Sequence, residues 1–292
     1  MNWKDACWRV TTEDRGQFFA ALELLQAGNE ICLDASFSNP ADWRSDTAAV
    51  HERGLACGLR MPHIWRQDAE QFFESEKDRL REAGFDFYLC RNMESLYYLE
   101  EHGLLENAGY ALDHSIYVTN REAWRMLQEL LPGGKTGMAA CGTEEGNSLT
   151  KPRSLCASLE LNEGELADLK EILQGETAFE LTVYGRAPMM VSAQCVKRSS
   201  GNCDHRPAVL YLKDRTGSEM PVKNCCRFCG STIYNAVPLV LYDLWTKERI
   251  LAPDIFRFEF TTESAKEVRA VLQAGTWTQG TFTRGHFRKS VQ

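Results

Sequence analysis

The sequence predicts an α/β fold: a single (β/α)8 TIM-like barrel spanning 1–292, with a cysteine-rich metal-binding insertion at 189–242, between strands 7 and 8. Two observations point there. Short apolar runs alternate with amphipathic stretches, and eight such pairs can be counted along the 292 residues. The runs are apolar throughout rather than alternating, as strands covered on both faces should be.

In order, the strands fall at 7–10, 30–34, 57–61, 86–90, 109–113, 155–161, 179–184 and 255–260. A helix over 15–27 follows Thr12 as cap and stops at Gly28. Asn39-Pro40 opens the next, with proline in the first turn. A long amphipathic helix over 67–83 closes at Gly84, and further helices follow over 92–101, 120–131, 163–173 and 262–274. Asn92, Asn120 and Asn162 each stand before a helical stretch and read as caps. The stretch 133–153 is rich in Gly, Thr, Ser and Asn and reads as an irregular loop. The insertion holds extra strands at 208–213 and 237–241.

Hydrophobic residues make up 43% and charged residues 25% of the chain, the balance of a soluble globular protein. No apolar run is long enough to span a membrane, and the opening MNWKDACWRV lacks a signal-peptide core. The expected location is cytoplasmic. Eleven cysteines without an export signal suit a reducing compartment, with clustered thiols reserved for metal. The net charge of −8 is uneven: seven Lys or Arg face three acids between Cys195 and Cys229, so this segment is +4 and the remainder −12. Such a basic patch either attracts an anionic substrate or offsets thiolate charge around a cation.

Within that segment Cys195 and Cys203 form one pair and Cys226 and Cys229 another. A C-x-x-C pair lets two thiolates meet one centre from a turn. Gly201, Asn202 and Gly230 supply the turns. Three readings follow: separate thiols, a four-cysteine structural zinc site, or an iron–sulfur cluster. Spacing alone leans to zinc. Cys225, beside Cys226, is an alternative ligand.

Barrel enzymes draw catalytic groups from the C-terminal ends of their strands. Those ends carry Asp34, Arg66, Arg91, Asp113, His114, Ser115, Glu160, Tyr184, Arg186, Arg257 and Glu259. Asp113-His114-Ser115 suggests a hydrolytic triad, but adjacent residues rarely reach triad geometry.

The segments ELTVYGRAPMMVSAQC (180–195), FRFEF (256–260) and TRGHF (283–287), with Cys203, LDHSIYVTN (112–120) and SLELNEGEL (158–166), resemble the collagenase-like peptidase family U32. The resemblance implies a [4Fe-4S] cluster on Cys195, Cys203, Cys226 and Cys229, favoured over the alternative zinc. It also implies oxygen-independent hydroxylation in RNA modification or on a quinone precursor, with an anionic small molecule or RNA as substrate. Glu160, Arg257 and Glu259 match family positions whose charges point into the barrel. Arg186 and Arg257 would hold the anion, Glu160 or Glu259 would move the proton, and Tyr184 stands where many members carry histidine. The family's opening Pro-Ala-Gly motif is missing. The chain is most similar to the C-terminal barrel of long members, which implies a second U32-family barrel as partner. Two further expectations accompany this one: a collagenase-like peptidase, for which no H-E-x-x-H or G-x-S-x-G motif is present, and a non-catalytic cluster-bearing partner.

Overall fold

The structure is a computed structural model. It describes residues 6–131, 151–173, 175–246, 251–274, 277 and 280–288. Seven parallel strands come first: β1 (Cys7–Thr12), β2 (Glu30–Asp34), β3 (Ala56–Arg60), β4 (Phe87–Cys90), β5 (Gly109–Leu112), β6 (Ser154–Cys156) and β7 (Ala178–Gly185). The insertion contributes β8 (Pro188–Ser192), β9 (Val209–Lys213), β10 (Glu219–Cys225), β11 (Gly230–Tyr234) and β12 (Leu239–Val240), and β13 (Ile255–Glu259) completes the barrel. β13 pairs with both β7 and β1, and β6 pairs with β7, so the ring of eight parallel strands is closed. The expected (β/α)8 architecture is the observed one.

The helices between strands are α1 (Arg15–Leu22), α2 (Trp43–His51), α3 (Gln67–Ser75), α4 (Lys77–Glu82), α5 (Met93–Glu101), α6 (Arg121–Leu130) and α7 (Glu163–Leu173). A short α8 (Val196–Ser199) lies in the insertion, and α9 (Ala265–Gln273) follows β13. Asn92 and Asn120 accept hydrogen bonds from the Ser95 and Ala123 amides, and Asn162 from Gly164 and Glu165, as caps do. The cap of α1 is Asp14 rather than Thr12: Asp14 and Gln17 form a reciprocal capping box. The helix expected over 67–83 is two helices, because Glu76 leaves helical geometry at φ −105° and ψ 9°.

Alternation along the strands sends one set of side chains outward to the helices and the other into the barrel. The inward set includes an apolar layer of Cys32, Phe87, Leu89 and Ala111. The Phe87 ring lies over Gly58 of the neighbouring strand, and a β-carbon there would lie 2.4 Å from it. Glycine at 58 is therefore a packing requirement. The Arg9 guanidinium sits 4.5 Å above the same ring.

The insertion is mostly an antiparallel sheet of order β8-β11-β10-β9. β9 matches the strand expected at 208–213, and β12 is the core of the one expected at 237–241. β8 and β11 were not expected, and β10 escaped because Pro221, Lys223 and Asn224 interrupt any apolar run. Most of the loop expected at 133–153 falls on 132–150, outside the described residues. Among the described residues no helix is long and apolar enough to cross a membrane.

Gly58→Ala should destabilise the fold by roughly 1–3 kcal/mol through overpacking, read as a lower urea midpoint. Phe87→Leu in the same chain should recover part of the loss.

Candidate active site at the barrel mouth

Charged residues on the inward face form one continuous network. At its centre Glu180, fully buried, accepts from Arg257 Nε on one oxygen and from Arg9 Nη1 on the other. Ser154 also donates to Glu180, at 2.7 Å. Arg9 Nε continues to Glu30 at 2.6 Å, and Arg153 meets the other Glu30 oxygen at 2.9 Å. Towards the mouth, Arg257 Nη1 bonds Asp113 and reaches Glu259 at 3.2 Å. Arg60 binds Asp34 at 2.7 Å and Glu13 at 2.6 Å, and Arg91 reaches Asp34 at 2.9 Å. Opposite charges alternate throughout, as burial requires.

The carboxyl acidities follow from this packing. Burial opposes ionisation of Glu180, but Arg257 and Arg9 outweigh it and hold the carboxyl below its usual range. Burial likewise opposes Asp34, which Arg91 and Arg60 pull well down. Asp113 is also well down, with His114 and Arg257 overcoming its burial. Glu263, in the turn between β13 and α9, goes the other way, since burial dominates there.

Above the network the insertion sheet closes over the mouth. Lys223 of β10 binds Glu13 at 2.7 Å and donates to the Thr261 carbonyl. Tyr234 of β11 donates to Glu13 at 3.3 Å. The hairpin tip between β10 and β11 docks through Arg227, which donates to the Ala35 carbonyl, and through Phe228, whose ring lies 5.6 Å from that of Phe72. A cleft of about 530 Å³, its open mouth included, lies between sheet and barrel. Asp34, His63, Arg66, Arg91, Cys225 and Tyr234 are among its lining.

His63 is the functional candidate that sequence reading missed. It lies three residues past β3, in a turn with no motif to mark it. Burial, then the nearby Arg91 charge, lowers its basicity well below that of free histidine. It lines the cleft half-buried, in surroundings that disfavour its protonated form.

The expected site residues do not form one group. Arg257 and Glu259 lie together inside the barrel. Glu160 does not point into it: β6 ends at Cys156, the chain turns, and the side chain is exposed. Tyr184 and Arg186 belong to a separate cluster around Glu263, with the Tyr184 hydroxyl donating to it at 3.2 Å and Arg186 Nε 3.8 Å away. Arg186 spends Nη1 on the carbonyls of Asn235 and Ala236. Asp113, His114 and Glu259 bring ligand atoms within 4.8 Å of one another, yet Arg257 already supplies the positive charge both carboxylates need. Ser115 donates to the Arg91 carbonyl at 2.8 Å rather than to His114, so no triad forms.

The cysteines divide by strand alternation and turn. Cys225, the last residue of β10, faces the cleft, its thiol 3.8 Å from the Ser36 carbonyl and pushed up to about 11 by burial. Cys226 begins the turn and looks elsewhere: after burial, the thiols of Cys195 and Cys203 are among the charges that raise its pKa. Cys229 ends the same turn in left-handed geometry, φ 48°. Cys195 is tied to β11 through the Val196 amide, which donates to Ser231 Oγ at 3.1 Å. Cys195 is buried, Cys226 and Cys229 half-buried, and Cys203 exposed. No three of these thiols lie within 4.8 Å of one another.

No family model and no curated protein sequence matches this chain.

Glu180→Gln leaves two buried guanidiniums short of charge and should cost about 3–5 kcal/mol, measured by urea unfolding at neutral pH. The depressed carboxyls contribute stability that is present above their unfolded values, near 4, and lost as pH falls. Unfolding free energy should therefore be flat from about pH 5 upward and drop below about pH 4. In Glu180→Gln the acid-dependent loss should be smaller.

Proposed function

We propose that this chain is an iron–sulfur redox enzyme. In this reading Cys195, Cys203, Cys226 and Cys229 hold a [4Fe-4S] cluster at the rim of the insertion sheet, and the cleft beneath takes an anionic substrate for oxygen-independent hydroxylation. The observation that carries the reading is the split at the end of β10. Cys225 enters the cleft, while the next thiol, Cys226, shares surroundings with Cys195 and Cys203.

Bound there, a four-cysteine cluster supplies single electrons, since no iron position is open to substrate. The chain's own residues do the remaining work. Arg91 and Arg66 present positive charge to the cleft. Arg91 is held by the Met61 carbonyl and Asp34, so its charge is oriented before substrate arrives. His63 offers its ring nitrogens to the substrate as hydrogen-bond partners. The sheet, anchored through Lys223 and Tyr234 to Glu13, shields the cleft from bulk water. A peptidase reading draws no support from Ser115, whose hydroxyl is committed to a backbone carbonyl.

Anaerobic purification with iron, sulfide and zinc analysis on one sample tests this. Iron and sulfide in equal amounts, with broad visible absorption, are expected. Cys229→Ser should lose the iron and Cys225→Ser should keep it. Zinc at one per chain without colour would overturn the cluster, and equal metal in both variants would overturn the ligand set.

A further inference from the structure

The outer edge of the insertion sheet is built to pair. β9 is the terminal strand, bonded to β10 alone. All five of its residues are exposed and four are apolar: Val209, Leu210, Tyr211 and Leu212, at 38, 36, 63 and 44%. Apolar side chains on both faces of an edge strand, beside open backbone groups, are what soluble proteins ordinarily avoid.

The phase of the ladder fixes which backbone groups are open. The Asn224 amide donates to the Ala208 carbonyl at 3.1 Å, and Val222 stands opposite Leu210. Hydrogen-bonded pairs recur at every second residue. Leu210 and Leu212 therefore turn their amides to β10, and Val209, Tyr211 and Lys213 turn theirs outward. Pro221, which has no N–H, stands opposite Tyr211, where the ladder needs none.

We propose that β9 pairs antiparallel with β9 of a second copy of this chain, across a twofold axis through Leu210. The two insertion sheets then become one continuous sheet. A second copy fits this edge because the edge is self-complementary. This register sets Tyr211 against Val209, Leu212 against Ala208, Leu210 against its own copy, and Arg206 against Asp214 at both ends. Asp214 uses only Oδ1 within its own turn, accepting from the Thr216 and Ser218 amides, so Oδ2 is available to Arg206. An axis through Tyr211 would set Lys213 against Val209. One through Leu212 would set Asp214 against Leu210, and one through Val209 would set Asp204 against Asp214. The Leu210 register alone joins opposite charges while covering apolar side chains with apolar ones.

Sedimentation velocity of the full chain up to about 100 µM tests the proposal. The wild type should dimerise with concentration. Leu210→Lys, which faces two ammonium groups across the axis, should abolish the dimer. Tyr211→Pro removes an outward N–H and no bond to β10, and should also yield monomer with unchanged circular dichroism and melting. Arg206→Glu should weaken association about tenfold, and adding Asp214→Lys should restore it. A wild type that stays monomeric, leaving the edge to a strand of some other chain, would overturn the proposal. So would a dimer unaffected by Leu210→Lys and Tyr211→Pro.

Discussion

The bond on which the rest of this molecule depends is the one between Glu180 and its two arginines, Arg257 and Arg9. A carboxylate with no solvent contact is costly unless opposite charge meets both of its oxygens. Here one guanidinium arrives from β13 and the other from β1, so the pairing stitches together the three strands where the barrel closes. Arg257 then extends the network upward to Asp113 and Glu259, which makes the mouth a charged surface by construction. The Phe87 ring of the apolar layer packs against the Arg9 guanidinium, 4.5 Å away.

That constraint determines where the insertion can sit. Glu13 leaves the barrel rim carrying charge that Arg60 only partly satisfies, and Lys223 and Tyr234 of the inserted sheet supply the remainder. Arg227 and Phe228 fasten the hairpin tip over α3. The sheet is thus held by ions on one side and rings on the other. Its fixed position carries Cys225 over the cleft and its neighbour Cys226 away from it. Cys225 and Cys226 meet different surroundings because β10 ends between them.

Much of the barrel was legible because strands covered on both faces are apolar runs, and runs of that kind survive in a single sequence. The asparagine caps were legible for a similar reason: the capping interaction is local. What was lost was lost to non-local causes. The four-stranded inserted sheet is stabilised by its seat on the barrel, so β10 could carry Pro221, Lys223 and Asn224 without any alternating pattern to reveal it. His63 lies in a turn, and its character comes from Arg91, which is distant in sequence. Glu160 read as a strand-end residue because the apolar run 155–161 continues past the point where β6 stops pairing. A signal for the network was nonetheless present, since Arg9, Glu30, Arg60, Glu180 and Arg257 are charges set inside otherwise apolar strands.

The central claim is that four thiols on the inserted module surround an inorganic core beside the cleft. Crystals of anaerobically prepared protein, measured at the iron absorption edge, test it most directly. An anomalous peak enclosed by Cys195, Cys203, Cys226 and Cys229, with Cys225 apart from it, is expected. A peak elsewhere in the molecule, or density for one ion bonded to all four sulfurs, would contradict it.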